Sequence, residues 1–230
     1  MTCYQLVIDK NTSNRVLGEN KPLYDLKEEF DPSLKSLNTV DKVIAFCDGL
    51  YTEKSNNNSL IKIDETYPGI VSSVIRKRFY HGYSTYDLSN NYTAKIISEL
   101  TIDGLSAIVT PDDILKYPYA ACSQQSIVFI KVLQKKGFTT RKVGFKGKKY
   151  GGHFCFEVYY NNSWHFYDPD MEPKTAILTA YKHPDIKFLA EHPDILVKAY
   201  QQYPREKTLD IFTNYYYGAV NKFPASNAIV

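Results

Sequence analysis

The sequence predicts an α+β fold in which one central helix packs on a small antiparallel sheet, with further helices at both ends of the chain. Two observations predict it. From Cys122 to Lys136 apolar side chains recur at helical spacing, without an internal glycine or proline. From Arg141 to Tyr167 the chain is aromatic and β-branched, and it is interrupted by a basic loop and by the turn residues 161–163.

The central helix is predicted to begin at Cys122 and to stop at Gly137, which two lysines precede. A cysteine in the first turn lies beside unpaired backbone N–H groups and the positive end of the helix dipole, which favour the thiolate. The alternative is that Cys122 is a small buried hydrophobic residue, as many free cysteines are. The face that continues from Cys122 is predicted to be buried and holds Ser126, Phe129, Ile130 and Leu133.

Strand alternation places a histidine and its neighbours on one face of the predicted sheet. If Asn161 and Asn162 form a two-residue turn, Cys155 lies opposite Asp168. His153 and Asp168 are then diagonal partners, roughly 7–8 Å apart at the backbone, a gap that two side chains can close by a hydrogen bond. A three-residue turn without a bulge would instead place them on opposite faces. The predicted strands are 141–145, 154–160 and 164–167, and the face of His153 also holds Cys155, Glu157 and Tyr159.

A thiol, an imidazole and a carboxylate in this arrangement are the parts of an acyl-transfer site with a cysteine nucleophile. The three candidates are Cys122, His153 and Asp168. A second interpretation is a metal site made by Cys155, His153 and Asp168. We rank it lower because protein metal sites usually show tighter paired spacings.

The segment from about Tyr117 to Pro173, a quarter of the chain, resembles the core of the transglutaminase-like superfamily, the papain-related Cys-His-Asp fold. The resemblance implies that Cys122 is the nucleophile, His153 the general base and acid, and Asp168 the group that orients His153. Its four blocks, in order, are Cys122 at a helix start, the Leu-x-x-x-Gly-Phe-x-x-Arg-x-Val run at 133–143, the Gly-His-x-x-x-Glu-Val strand at 152–158 and Trp-x-x-x-Asp-Pro at 164–169.

The function that the resemblance implies is acyl transfer through a thioester. Hydrolysis of an amide or peptide bond is the leading expectation, because no site for a second acceptor can be identified in the sequence. Transglutaminase-type transfer to an amine is the alternative, and an arylamine N-acetyltransferase is a weaker match. A binding or scaffold module that retains the triad remains open as well. Related papain-like enzymes supply an oxyanion donor from Gln or Trp upstream of the cysteine, but residues 116–119 contain neither.

Composition limits the partners. The 230 residues suit a single domain, which divides into a mostly helical part at 1–110, a catalytic core at 111–173 and a helical extension at 174–230. A net charge of +3 is too small to indicate a nucleic-acid partner. No phosphate, dinucleotide or EF-hand motif is present, so no cofactor or metal is expected, and the partner is expected to be a peptide, protein or amide-containing substrate. No apolar stretch is long enough to span a membrane, and residues 1–10 do not form a signal peptide.

The flanking segments give less specific predictions. His81 lies in an aromatic segment and is either part of a substrate groove or a packed loop residue, whereas His165 is expected on the hairpin surface. His183 and His192 each precede a proline and are expected to be capping or surface residues. A Cys3–Cys47 disulfide would require an oxidising compartment. Helices are predicted within 21–51, at 70–79, at 90–100, from Pro111 and at 209–220, with a polar loop at 55–59.

Overall fold

The structure, a computed structural model, describes residues 30–84, 107–171 and 175–221. Helices surround a four-stranded sheet of order β3-β2-β1-β4 in which neighbouring strands are antiparallel, so the predicted α+β class is confirmed. The strands are β1 (Thr139–Lys146), β2 (Gly152–Tyr160), β3 (Ser163–Tyr167) and β4 (Tyr215–Asn221). The helices are a 3-10 helix (Pro32–Ser36), α1 (Val40–Asn57), α2 (Ile63–Arg78), α3 (Pro111–Ile114), α4 (Cys122–Lys135), α5 (Thr175–Ala180), α6 (Ile186–Glu191), α7 (Pro193–Ala199) and α8 (Arg205–Thr213).

Helix α4 has the limits that its sequence predicts. Gly137 has a φ of 85°, the left-handed conformation that ends many helices, and the N–H of Phe138 donates to the Leu133 carbonyl over 3.0 Å. On the buried face, the ring of Phe129 stacks on Phe156 of β2, with centroids 3.5 Å apart. This packing fixes the second turn of α4 over the sheet.

The hairpin between β2 and β3 has the two-residue turn on which the predicted site depends. Asn161 and Asn162 have φ values of 48° and 60°, as a type I′ turn requires, and asparagine tolerates this region better than most residues. Tyr160 pairs with Ser163, and the register continues in step along the hairpin. The predicted register is therefore confirmed.

Each face of the sheet has its own core. On the face of Phe156 the sheet packs against α1, α2 and α4. On the face of Cys155 it packs against α5 to α8. The two cores share no residue. The start of α4 lies beside the start of β2, because Cys122 Sγ and a ring nitrogen of His153 lie within 4.8 Å of each other.

The prediction of a helix over 209–220 is wrong in its second half. Helix α8 ends at Thr213, and Tyr215–Asn221 forms β4, which pairs with β1. Three consecutive tyrosines favour an extended chain, and the open edge of β1 supplies hydrogen-bond partners that a helical pattern does not reveal.

Two further boundaries differ from the predictions. Helix α1 continues through Asn57, so the polar loop predicted at 55–59 is helical over its first three residues. Helix α2 begins at Ile63 rather than at 70. The helices predicted from Val40 and from Pro111 are confirmed. The predictions for 21–29, for 90–100 and for Cys3 lie outside the described residues. Within 30–39 the chain forms the 3-10 helix Pro32–Ser36. In the described ranges, no helix has the length and apolar character needed to cross a bilayer.

Candidate active site

Cys122 is the first residue of α4 and retains 9% of its surface exposed. The N–H groups of Gln124 and Gln125 both donate to the Ala121 carbonyl, over 2.8 and 2.9 Å. The N–H groups of Cys122 and Ser123 come earlier in the chain, where the helix supplies no carbonyl to accept their hydrogen bonds. The thiol therefore lies at the positive end of the helix, beside two backbone donors.

The buried Gln124 side chain holds this helix start in place. Its Oε1 accepts from the N–H groups of Ala121 and Ser84, over 3.2 and 3.1 Å. Its Nε2 donates to the carbonyls of Ser84 and Ile108, both over 2.8 Å. One amide thus ties the turn before Cys122 to two distant segments. The sequence gives no signal for this role, because the partners are backbone groups.

The structure brings the three predicted triad residues together. His153 Nε2 lies 2.9 Å from Asp168 Oδ2, and both side chains are buried. Cys122 Sγ, a ring nitrogen of His153 and a carboxylate oxygen of Asp170 all lie within 4.8 Å of one another. Because Nε2 is engaged by Asp168, Nδ1 is the nitrogen available to the thiol. The imidazole is therefore placed between the thiol and a buried carboxylate.

Asp168 is held by four hydrogen bonds. Besides His153, its Oδ2 accepts from the Tyr200 hydroxyl over 2.8 Å, and its Oδ1 accepts from the N–H groups of Asp170 and Met171 over 3.1 and 3.0 Å. Burial raises the pKa of this carboxyl, but the charge of His153 and these hydrogen bonds outweigh burial and hold the pKa below its ordinary value. Asp168 is consequently ionised at neutral pH.

The same surroundings affect His153 and Cys155. Burial alone would lower the pKa of His153, but the charge of Asp168 and the hydrogen bond to it outweigh burial, and the pKa lies well above its ordinary value. Burial, reinforced by Asp168, raises the pKa of the Cys155 thiol well above its ordinary value. At neutral pH Cys155 is therefore an uncharged thiol, and Asp168 is the anion that favours a protonated His153.

The alternative metal site is also present as a cluster. Ligand atoms of His153, Cys155 and Asp168 lie within 4.8 Å of one another. However, the Asp168 carboxylate has about four acceptor positions, and it already accepts four hydrogen bonds. The cluster is thus accounted for as a hydrogen-bonded network without a cation.

A second imidazole and carboxylate adjoin the site. Asp170 Oδ1 lies 2.6 Å from His81 Nδ1 and 2.7 Å from Gln125 Nε2, and Asp170 Oδ2 lies 3.9 Å from His153 Nδ1. His81 keeps 38% of its side chain exposed, so it lies where the site meets solvent. His81 thus contacts Asp170, which adjoins the site, whereas the alternative prediction was a packed loop in which backbone groups bond to His81. The sequence signal for Asp170 is its position two residues after Asp168.

The other histidines lie away from the triad. His165 was expected at the hairpin surface, and this prediction is wrong: it is 6% exposed, stacks on Tyr160 and bonds to the His183 carbonyl. Burial, with the charge of His165, lowers the pKa of His183 to about 4, so His183 is neutral and packed against Tyr167. His192 is exposed and is the N-cap residue of α7, as predicted.

No protein-family model matches this chain, and no curated protein matches it. Among solved structures, a chain described as "Crystal structure of a TGase" is similar, with 15% sequence identity and a TM-score of 0.37. The similarity covers 65% of this chain and 34% of that chain, so it spans about a third of the other protein's length. A TM-score this low adds nothing to the inference from the site itself.

Proposed function

We propose that this protein is a cysteine-dependent acyl-transfer enzyme that hydrolyses an amide or peptide bond through a thioester. The single observation that carries the proposal is the placement of His153 between Cys122 at a helix start and the buried carboxylate of Asp168. Nucleophile, base and orienting group in this order are the general arrangement of activated-nucleophile catalysis.

The first step is activation of the thiol. In the resting enzyme His153 already holds the proton of Cys122 Sγ, as a thiolate–imidazolium pair, and the imidazolium is stabilised by the ionised Asp168. The thiolate that remains is stabilised by the positive end of α4. Four hydrogen bonds keep the carboxylate in place, so the ring needs little reorientation when it takes the proton.

The second step forms the acyl-enzyme. The thiolate attacks the substrate carbonyl carbon, and the oxyanion accepts hydrogen bonds from the N–H groups of Cys122 and Ser123. The carbon–nitrogen bond then breaks, and His153 gives its proton to the leaving amine. In deacylation His153 takes a proton from water, hydroxide attacks the thioester carbonyl and the carbon–sulfur bond breaks, so that the carboxylic acid leaves and the thiolate–imidazolium pair is regenerated.

Two alternatives differ from hydrolysis, one in the group that accepts the acyl group and the other in whether Cys122 is acylated. If a primary amine replaces water in deacylation, the reaction is transglutaminase-type transfer. If the site is a scaffold that retains the triad, Cys122 does not become acylated at all. The low exposure of Cys122 is the observation that favours the scaffold.

Incubation with an activated ester such as p-nitrophenyl acetate distinguishes these cases. We expect an acetyl group on Cys122, located by mass spectrometry, and turnover that Cys122→Ser abolishes and that Asp168→Asn slows. Cys47→Ala is the matched control, because Cys47 is buried away from the triad. Faster turnover in the presence of a primary amine, with the amide as product, would favour the transferase. An absence of acetylation at Cys122 would contradict the proposal.

A further inference from the structure

An open surface lies on the face of the sheet that α4 covers only in part. Gly144 of β1 pairs with Phe154 of β2 on one side and with Tyr216 of β4 on the other. The Tyr216 ring lies directly on Gly144, where any added Cβ would collide with it, and Tyr216 remains 52% exposed. Lys142 projects from the same face two residues earlier on β1. We call these four residues the Lys142 shelf.

The shelf adjoins the proposed nucleophile. The Ser126 hydroxyl, one turn into α4, lies 2.7 Å from the Cys122 carbonyl and 3.2 Å from the Phe154 carbonyl. Phe154 also follows His153 directly in β2. A group bound on the shelf is thus within reach of a carbonyl held at Cys122.

Lys142 is the charged group of the shelf. Its Nζ lies 3.9 Å from the centroid of the Phe154 ring. Burial lowers the pKa of Lys142, and the charge of the Cys122 thiolate opposes this, so the two groups are close enough to interact electrostatically.

The Lys142 ammonium differs from other lysines in this part of the fold. Lys135 and Lys136 form ion pairs with Asp41 and Asp48 at 2.7 and 3.0 Å. Among the residues that the structure describes, no carboxylate lies within ion-pair distance of Lys142. A half-buried cation with no carboxylate partner in the described ranges, next to a nucleophile, is suited to bind an anionic substrate group.

We propose that the Lys142 shelf is an anion subsite that binds a free carboxylate of the substrate close to the scissile carbonyl, while Phe154 and Tyr216 pack against the group that carries it. This inference rests on the proposed function. The substrate class is then an amide or peptide with a carboxylate next to the bond that is cleaved, supplied by a chain terminus or by an acidic side chain.

Two alkylating reagents of similar shape test the subsite. Iodoacetate and iodoacetamide transfer similar groups to sulfur, but only the former carries a carboxylate. The measured quantity is the rate constant of iodoacetate at Cys122 divided by the rate constant of iodoacetamide at Cys122. We expect Lys142→Met to lower this ratio about fivefold, as the loss of one partly exposed charge pair predicts. Lys142→Arg should retain the ratio. Lys146→Met is the matched control, because Lys146 is exposed on the same face of β1.

Each outcome decides one claim. A ratio that falls in Lys142→Met and persists in Lys142→Arg and Lys146→Met supports the subsite. A ratio that Lys142→Met leaves unchanged overturns it, and so does an equal fall of both rates, which would mean that Lys142 acts on the thiol alone. If neither reagent labels wild-type Cys122, the proposed function fails and the subsite fails with it.

Protection experiments identify the source of the carboxylate. N-acetyl-dialanine is compared with its C-terminal amide, and N-acetylglutamate amide with N-acetylglutamine amide, as inhibitors of Cys122 labelling by iodoacetamide. Stronger protection by N-acetyl-dialanine than by its amide, lost in Lys142→Met, assigns the carboxylate to a chain terminus. Stronger protection by N-acetylglutamate amide than by N-acetylglutamine amide, lost in the same variant, assigns it to an acidic side chain. Equal protection within both pairs would overturn the subsite.

Discussion

All four acceptor positions of the Asp168 carboxylate are filled, by donors from three different parts of the chain. His153 comes from β2, Tyr200 follows α7, and the two N–H groups belong to the turn after β3. Such a network holds one imidazole orientation, which is what a base beside a thiol needs. At the residue scale, this network supports the proposed chemistry more directly than the thiol alone.

The charge state of His153 gives a pH dependence of stability. Its folded-state pKa is raised above the ordinary 6.5, so its contribution is fully present below that pH and is lost as pH rises through the folded-state pKa. We expect the difference in unfolding free energy between wild type and His153→Gln to shrink between about pH 5 and pH 9, measured by urea denaturation. A difference that stays constant or grows with pH would contradict a charged His153–Asp168 pair.

The residues of the site differ in whether a local sequence pattern marks them. Cys122, His153 and Asp168 were predictable, because a helix start, a strand parity and a turn length each leave a local pattern. Tyr200 was not, because it comes from a segment far away in the sequence and nothing local marks it. The aromatic segment around His81 indicated a groove position as one alternative, but not the contact of His81 with Asp170. The signal that was available for Asp170, an aspartate two residues after Asp168, does not reveal that it faces His153.

At the scale of elements, the hairpin turn decides whether the site can form. Asn161 and Asn162 both have positive φ, so the turn keeps His153 and Asp168 on one face. We expect Asn162→Gly to be neutral or to stabilise by up to about 1 kcal/mol, and Asn162→Val to destabilise by about 1–2 kcal/mol, because a β-branched residue disfavours this region. Thermal unfolding measures both. A valine variant as stable as the glycine variant would contradict the assigned turn.

The elements outside the hairpin were less predictable. The limits of α4 were predictable, because the helical spacing of its apolar residues and the glycine that follows it lie within the segment itself. Strand β4 was missed because its partner is the edge of β1, about 75 residues earlier, and tertiary pairing overrides a weak helical pattern. The consequence is functional, since Tyr216 of β4 forms part of the Lys142 shelf.

At the scale of the whole molecule, the buried Arg78 joins segments that surround the site. Its guanidinium donates to the carbonyls of Leu37, Tyr117 and Leu115, over 3.3, 3.1 and 2.5 Å. Burial lowers its pKa to about 10, so it remains charged at neutral pH. It thereby connects the end of α2, the segment after the 3-10 helix and the chain that leads into α4.

Removal of this guanidinium should affect the fold as a whole. We expect Arg78→Met to lower the unfolding free energy by about 2–4 kcal/mol, since several buried carbonyls lose their donor. Arg205→Met is the matched control and should change stability by less than about 1 kcal/mol, because Arg205 is exposed and pairs with exposed Asp194. Urea denaturation compares the two. Equal effects would mean that Arg78 does not hold these segments together.

The central claim is that His153 and Asp168 activate Cys122, and the pH dependence of iodoacetamide labelling at Cys122 tests it most directly. Mass spectrometry locates the adduct, and His153→Ala and Asp168→Asn are compared with wild type. We predict fast labelling of Cys122 below the free-thiol pKa of about 8.5, slowed in both variants, and no labelling of buried Cys47. Slow labelling that neither variant changes would contradict the account.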